Sequence, residues 1–204
     1  MYRTADEVVN LSFKISDEEK KSAKRCIDLF DKAVHHLNEL NDYLDKIYNP
    51  FKNHNKVSAK SVHRYRGAIK RYSDSIDDKM SYIKKVILLA VGELDSFSSD
   101  MKIQDILNAL SDDMSDTDEQ IFSLRETLES WDLAIDKEPG PDNNENIDYR
   151  QTVISAVELA KKEIAESINL IEDRIITHIN DNILSNNWVQ NVSNELEIEE
   201  DLEE

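Results

Sequence analysis

The chain has 204 residues, enough for one domain with a real core, and carries a net charge of −18 with only three glycines and one cysteine. So few glycines, all isolated, exclude a P-loop and a dinucleotide-binding fingerprint, and the single Cys26 excludes an intrachain disulfide. The charge is split, with residues 1–99 at a net +3 and residues 100–204 at a net −21, a polarity that bears on solubility and partner choice rather than on fold.

The longest uncharged apolar run, 86–92, falls far short of the ~20 residues a spanning helix needs. No signal-peptide organisation opens the sequence. The cytoplasm is the expected compartment and no membrane contact is expected.

Residues 1–15 read as an arm. Val9, Leu11, Phe13 and Ile15 alternate with polar residues, which predicts a strand over 8–15. Its expected partner is the alternating pair Leu196 and Ile198, a second copy of the chain, or a different protein. In the last two cases these four apolar residues are contact residues that add a strand to a partner's sheet.

Ser16 with Glu19 forms a capping box. From there Ala23, Cys26, Ile27, Phe30, Ala33, Val34, Leu37, Leu40, Leu44 and Ile47 mark the buried stripe of a first helix, which Asn49 and Pro50 are expected to end. A second helix is expected from Ser58 to about Phe97 on Val62, Tyr65, Ile69, Tyr72, Ile76, Met80, Ile83, Ile87, Val91 and Leu94. Gly67 and Gly92 interrupt it, each at a cost of about 1 kcal/mol relative to alanine.

Ser99 and Asp100 cap a third segment, with Ile103, Leu107, Leu110, Met114, Ile121, Leu124, Leu128, Trp131 and Ile135 in one phase and Thr117 between. The acidic stretch 112–119 leaves open one helix or two with a joint at 112–117. The breaker cluster 138–147 precedes a fourth helix over about 148–185, on Val153, Val157, Ala160, Ile164, Ile168, Ile171, Ile175, Ile179 and Ile183. These elements predict an all-α chain: an elongated up-down bundle of about four long amphipathic helices, built as hairpins 16–98 and 100–185 within a bundle spanning 16–186. A dimer that completes the bundle with one hairpin from each chain is the other architecture that fits. Residues 187–204 form an acidic tail.

Enzymatic signatures are absent. There is no His-Glu-x-x-His and no Glu-x-x-His, and His35, His36, His54, His63 and His178 lack metal-ligand spacing, so no metal and no cofactor is expected. The carboxylate pairs Glu126 with Glu129, Glu129 with Asp132, and Glu163 with Glu166 flank the apolar stripes and are expected on a solvated face. Cys26 lies on the stripe of the first helix, where a thiol is a small apolar side chain.

The most distinctive motif is basic. Lys52, Lys56, Lys60, Arg64, Arg66, Lys70 and Arg71 follow one another with no acid between Phe51 and Ser73. Three readings fit: pairing with the acidic third or fourth helix, contact with a nucleic-acid backbone, and contact with an acidic protein. Residues 195–204 hold seven acids with Leu196, Ile198 and Leu202, which reads as a solvated end or a docking peptide. Taken together, these features predict a non-enzymatic protein–protein interaction protein, such as an adaptor, inhibitor or accessory subunit, with a protein partner or a second copy. The alternatives are a nucleic-acid-binding subunit acting through residues 52–71 and an acidic mimic of nucleic acid.

Overall fold

The computed structural model describes residues 8–12, 15–52, 59–97, 101–137, 145–185 and 189–193. Strand β1 (Val8–Ser12) is followed by α1 (Asp17–Lys52), α2 (Ala59–Gly92), a 3₁₀ turn (Asp95–Phe97), α3 (Met101–Lys137), α4 (Glu145–Asn169) with two π-helical continuations (Leu170–Ile176 and Ile179–Leu184), and β2 (Val189–Ser193). The four helices pack α1 on α2, α3 on α4 and α1 on α4, with α2 on α3 the loosest junction. Buried residues from all four helices belong to one core. The chain thus supplies both hairpins itself, and the domain-sharing dimer is not needed to cover the apolar stripes.

The capping box forms as read. The Ser16 amide donates to Glu19 Oε2 at 2.7 Å and the Glu19 amide to Ser16 Oγ at 3.2 Å. Together they satisfy two of the free N–H groups that every helix start carries.

Three expectations change, and one choice left open by the sequence is decided. First, α1 does not stop before Pro50 but runs to Lys52. Pro50 sits in the last turn and has no N–H to give to the helix, but tertiary contacts hold that turn. Phe51 is buried edge-on against Trp131 with ring centroids 5.1 Å apart, and Arg150 of α4 donates to the carbonyls of Phe51 and Lys52. An arginine there serves both the unpaired carbonyls and the negative end of the helix dipole.

Second, residues 101–137 are one helix. Thr117 is fully buried at the centre of it, and the acidic residues around it turn outward or lie half-buried.

Third, α2 ends at Gly92 rather than near Phe97, and its buried stripe passes through Ile83, Val86 and Ala90, while Ile87 is partly buried and Val91 half-buried. Helix α2 leans on α1, so the flank facing α1 is covered and the flank toward α3 is not.

Fourth, the N-terminal strand finds its partner within the chain. β1 pairs antiparallel with β2, Val8 opposite Ser193, Asn10 opposite Asn191 and Ser12 opposite Val189. An up-down-up-down bundle brings the start of its first helix and the end of its last to the same end, so their flanking segments meet. The strand ends at Ser12, and Ile15 is not part of it: its side chain is buried in the helical core. Phe13, Leu196, Ile198 and Leu202 lie outside the described residues.

The π-helical end of α4 follows from its isoleucines. Ile171, Ile175, Ile179 and Ile183 recur every four residues and are all buried. In an α-helix each step of four advances the side chain about 40° too far, so the fourth isoleucine stands about 120° from the first. A π turn has more residues per turn, so a step of four falls short there, and π turns set among α turns offset the drift. The Ser185 amide accordingly donates to the Asn180 carbonyl five residues back, at 3.1 Å.

Candidate interaction surface

The basic stretch divides when it is placed on the bundle. Arg66 forms a two-pronged ion pair across to Asp132 of α3, with Nη2 at 2.9 Å from Oδ2 and Nε against Oδ1. Lys70 and Arg71 are exposed on α2, with no acid partner among the described residues; Arg71 Nε donates to the Gly67 carbonyl. Lys52 ends α1 with its ammonium 4.9 Å from the centre of the Tyr48 ring. Lys60 and Arg64 lie on α2 with side chains outside those described, and Lys56 lies outside the described residues altogether.

The loose junction of α2 and α3 leaves a groove of about 180 Å³ beneath this stretch. Arg66, Lys70 and Arg125 line it together with Asp74, Glu129 and Asp132, and Trp131 and Leu128 form part of its floor. Three cations against three acids give a groove without a charge preference. Further along the same junction Arg125 pairs with Asp77, and Lys84 with Asp118 at 2.6 Å. The junction is therefore an ion-pair ladder, the arrangement that flanking charges adopt between packed helices. Of the carboxylate pairs read from the sequence, Glu126 and Glu129 are exposed and Asp132 is engaged by Arg66. Glu163 and Glu166 both accept from Lys162, at 3.2 and 3.1 Å.

A different part of α2 shows what sequence periodicity passed over. Leu88 is 72% exposed, Leu89 61% and Tyr82 48%, all within eight residues on the outer side of the helix. Lys85 stands between them, also exposed. A run of seven uncharged apolar residues turns through nearly two full circles at about 100° each, so part of it must face away from any single core. That was the available signal: the run 86–92 is wider than a stripe. Phe122 of α3 and Leu159 of α4 are the other exposed large apolar side chains among the described residues.

Near Tyr82, the junction of α1 and α2 gathers polar groups. Glu39 Oε2 accepts from Lys79 Nζ at 2.6 Å and from His36 Nδ1 at 2.6 Å, while His35 Nε2 lies 3.9 Å from Glu39 Oε1. His36 Nδ1 lies between the Glu39 carboxylate and the Lys79 ammonium, which stands 3.2 Å from it. Tyr82 packs edge-on against the His36 ring, with centroids 4.7 Å apart. Lys79 and His36 together hold the Glu39 carboxyl at about 2, Lys79 contributing most. Spacing alone does not reveal this cluster: His36-x-x-Glu39 reverses the order of a Glu-x-x-His pair, and Lys79 comes from another helix.

Cys26 is fully enclosed, and burial pushes its thiol up to about 12. At neutral pH it is an uncharged packing group rather than a nucleophile. No helix among the described residues is long and apolar enough to cross a membrane. No protein-family model, curated protein or solved structure matches the chain.

Proposed function

We propose that the chain is a non-enzymatic docking protein that receives a partner protein on the outer face of α2. The observation that carries this reading is the exposure of Leu88 and Leu89 beside Tyr82, across the helix from the buried Ile83, Val86 and Ala90. Exposed apolar residues scattered singly need no explanation, but Tyr82 and Leu89, seven positions apart, lie on one line of the helix, with Leu88 about 100° round from Leu89. Lys85 in the middle of the patch favours a partner whose apolar side chains are bordered by acids. The buried thiol and the carboxylates already engaged by Arg66 and Lys162 support a role without catalysis.

Changing Leu88→Glu and Leu89→Glu together tests it. Burial of a leucine contributes about 1.5–3 kcal/mol, and each 1.4 kcal/mol is tenfold in affinity. Co-purification of the partner from the cells that make the protein is expected to fall at least tenfold, with the melting temperature kept. A partner retained at wild-type yield contradicts the proposal.

Nucleic-acid binding is a second reading, favoured by the exposed Lys70 and Arg71. Its test is titration of duplex and single-stranded nucleic acid at ~50 and ~200 mM salt. Arg66 is held by Asp132, which leaves six cations of the stretch for phosphate, so the expected salt dependence lies at the lower end of the ~10³–10⁵-fold loss typical of six to ten contacts.

A further inference from the structure

We propose that His35, His36 and Glu39 form a binding site for a late first-row divalent ion such as Zn²⁺, with Lys79 as its displaceable occupant. The three residues lie within five positions of α1, and one ligand atom from each lies within 4.8 Å of the others. Donors on a common tetrahedral ion at ~2.0–2.2 Å stand about 3.3 Å apart, so small side-chain rotations close the remaining distance. The helix backbone beneath them does not have to move.

The donor set specifies the class of ion. Two imidazole nitrogens and one carboxylate suit zinc, copper or nickel, whereas magnesium and calcium take oxygen ligands. Three protein ligands leave the fourth position to water, and the exposed His35 leaves a path of entry.

A second observation points the same way. The place where the ion's bonds would run already holds a cation. Lys79 Nζ sits 2.6 Å from Glu39 Oε2 and 3.2 Å from His36 Nδ1, on a side chain only 19% exposed. The ammonium reaches this point on a flexible four-carbon stem and has solvent close by, so it can leave when a more highly charged ion arrives. Tyr82 against the His36 ring holds one donor in place during the exchange. Lys79 therefore sets the affinity: the ion must compete with a charge that is part of the chain.

Isothermal titration of the purified chain with zinc chloride tests this without any partner, so its failure leaves the docking proposal untouched. The wild type is expected to bind one zinc per chain. His35→Ala, at a position 69% exposed and harmless to packing, should weaken binding at least tenfold. Glu39→Gln should do the same, while Lys79→Met should tighten binding about tenfold. Thermal melts of each variant confirm that the bundle is intact. Absence of binding by the wild type at ~100 μM zinc overturns the proposal, as does an affinity that His35→Ala leaves unchanged or that Lys79→Met fails to raise.

Discussion

Thr117 Oγ1 of α3 and Ser167 Oγ of α4 face each other at 3.3 Å in the middle of the core, and neither residue has any exposed surface. A polar pair in an apolar seam stabilises little by itself. Its effect is on register, because sliding either helix by one turn sets a hydroxyl against an aliphatic side chain.

Thr117→Val is accordingly expected to cost about 1–3 kcal/mol by leaving Ser167 unpaired, although it preserves shape. Adding Ser167→Ala should recover part of that loss, giving a coupling of about 0.5–3 kcal/mol in a double-mutant cycle followed by urea melts. Strict additivity would mean that the two hydroxyls are satisfied separately.

Arg150→Met removes the cap from the end of α1. Two carbonyls lose charged donors, each such bond being worth about 1.5–3 kcal/mol. A net loss of roughly 2 kcal/mol is expected, with the faster amide exchange confined to the last turn of α1 and its contact with Trp131.

Gly67→Ala should stabilise. An added Cβ meets nothing within 4 Å, and the position is exposed on α2. The gain from helix propensity is about 1 kcal/mol, or about 2–4 °C in melting temperature for a domain of this size. Differential scanning calorimetry reads it directly, and a fall in melting temperature would show that the site needs glycine.

The acids make two opposite predictions with pH. Asp113 is raised, first by burial and then by Glu166, Asp116, Glu163 and Asp112. A raised carboxyl stabilises the fold below its unfolded pKa and loses that contribution as pH rises through the folded value. Asp113→Asn should therefore gain stability at pH 7, on the order of 0.5 kcal/mol for relief of like charges, and little at pH 3. Glu19, Glu93 and Glu39 are lowered, by Ser16, by Arg25 and by Lys79 respectively as the largest causes. Their stability is present above the ordinary value of 4.5 and is lost as pH falls below it, toward about 2 for Glu39. Urea midpoints across pH 2–8 should show both effects.

Much of this fold is legible in the sequence because amphipathic periodicity and caps act locally. Ser16 with Glu19 marks the start of α1, and the stripes from Ala23 to Ile47 and from Val153 to Ile164 are buried as read, except that Ile27 is only partly buried. What escaped depends on neighbours. Pro50 argued for a helix end, but Phe51 gained Trp131 and Arg150 from elsewhere in the chain. The four-residue spacing of Ile171, Ile175, Ile179 and Ile183 was visible, yet it signals a π-helix only if all four must face one core. The segment Val189–Ser193 has little alternation and becomes a strand because β1 lies beside it. On the surface, the charge run at 52–71 stands out in the sequence because it is unusual in an acidic chain. Leu88 and Leu89 fall outside the stripe on Ile83, Ile87 and Val91, and the period does not say whether another element covers them.

The docking proposal is tested most directly by photo-crosslinking in the cells that produce the protein, with a benzophenone amino acid replacing Leu89 in one variant and Leu159 in another. Leu159 is also an exposed leucine but is the one exposed large apolar side chain among the described residues of α4, so it reports chance encounters. The account predicts a discrete adduct with one partner protein at position 89 and none at 159. Equal adduct yields at both positions, or none at 89, would contradict it.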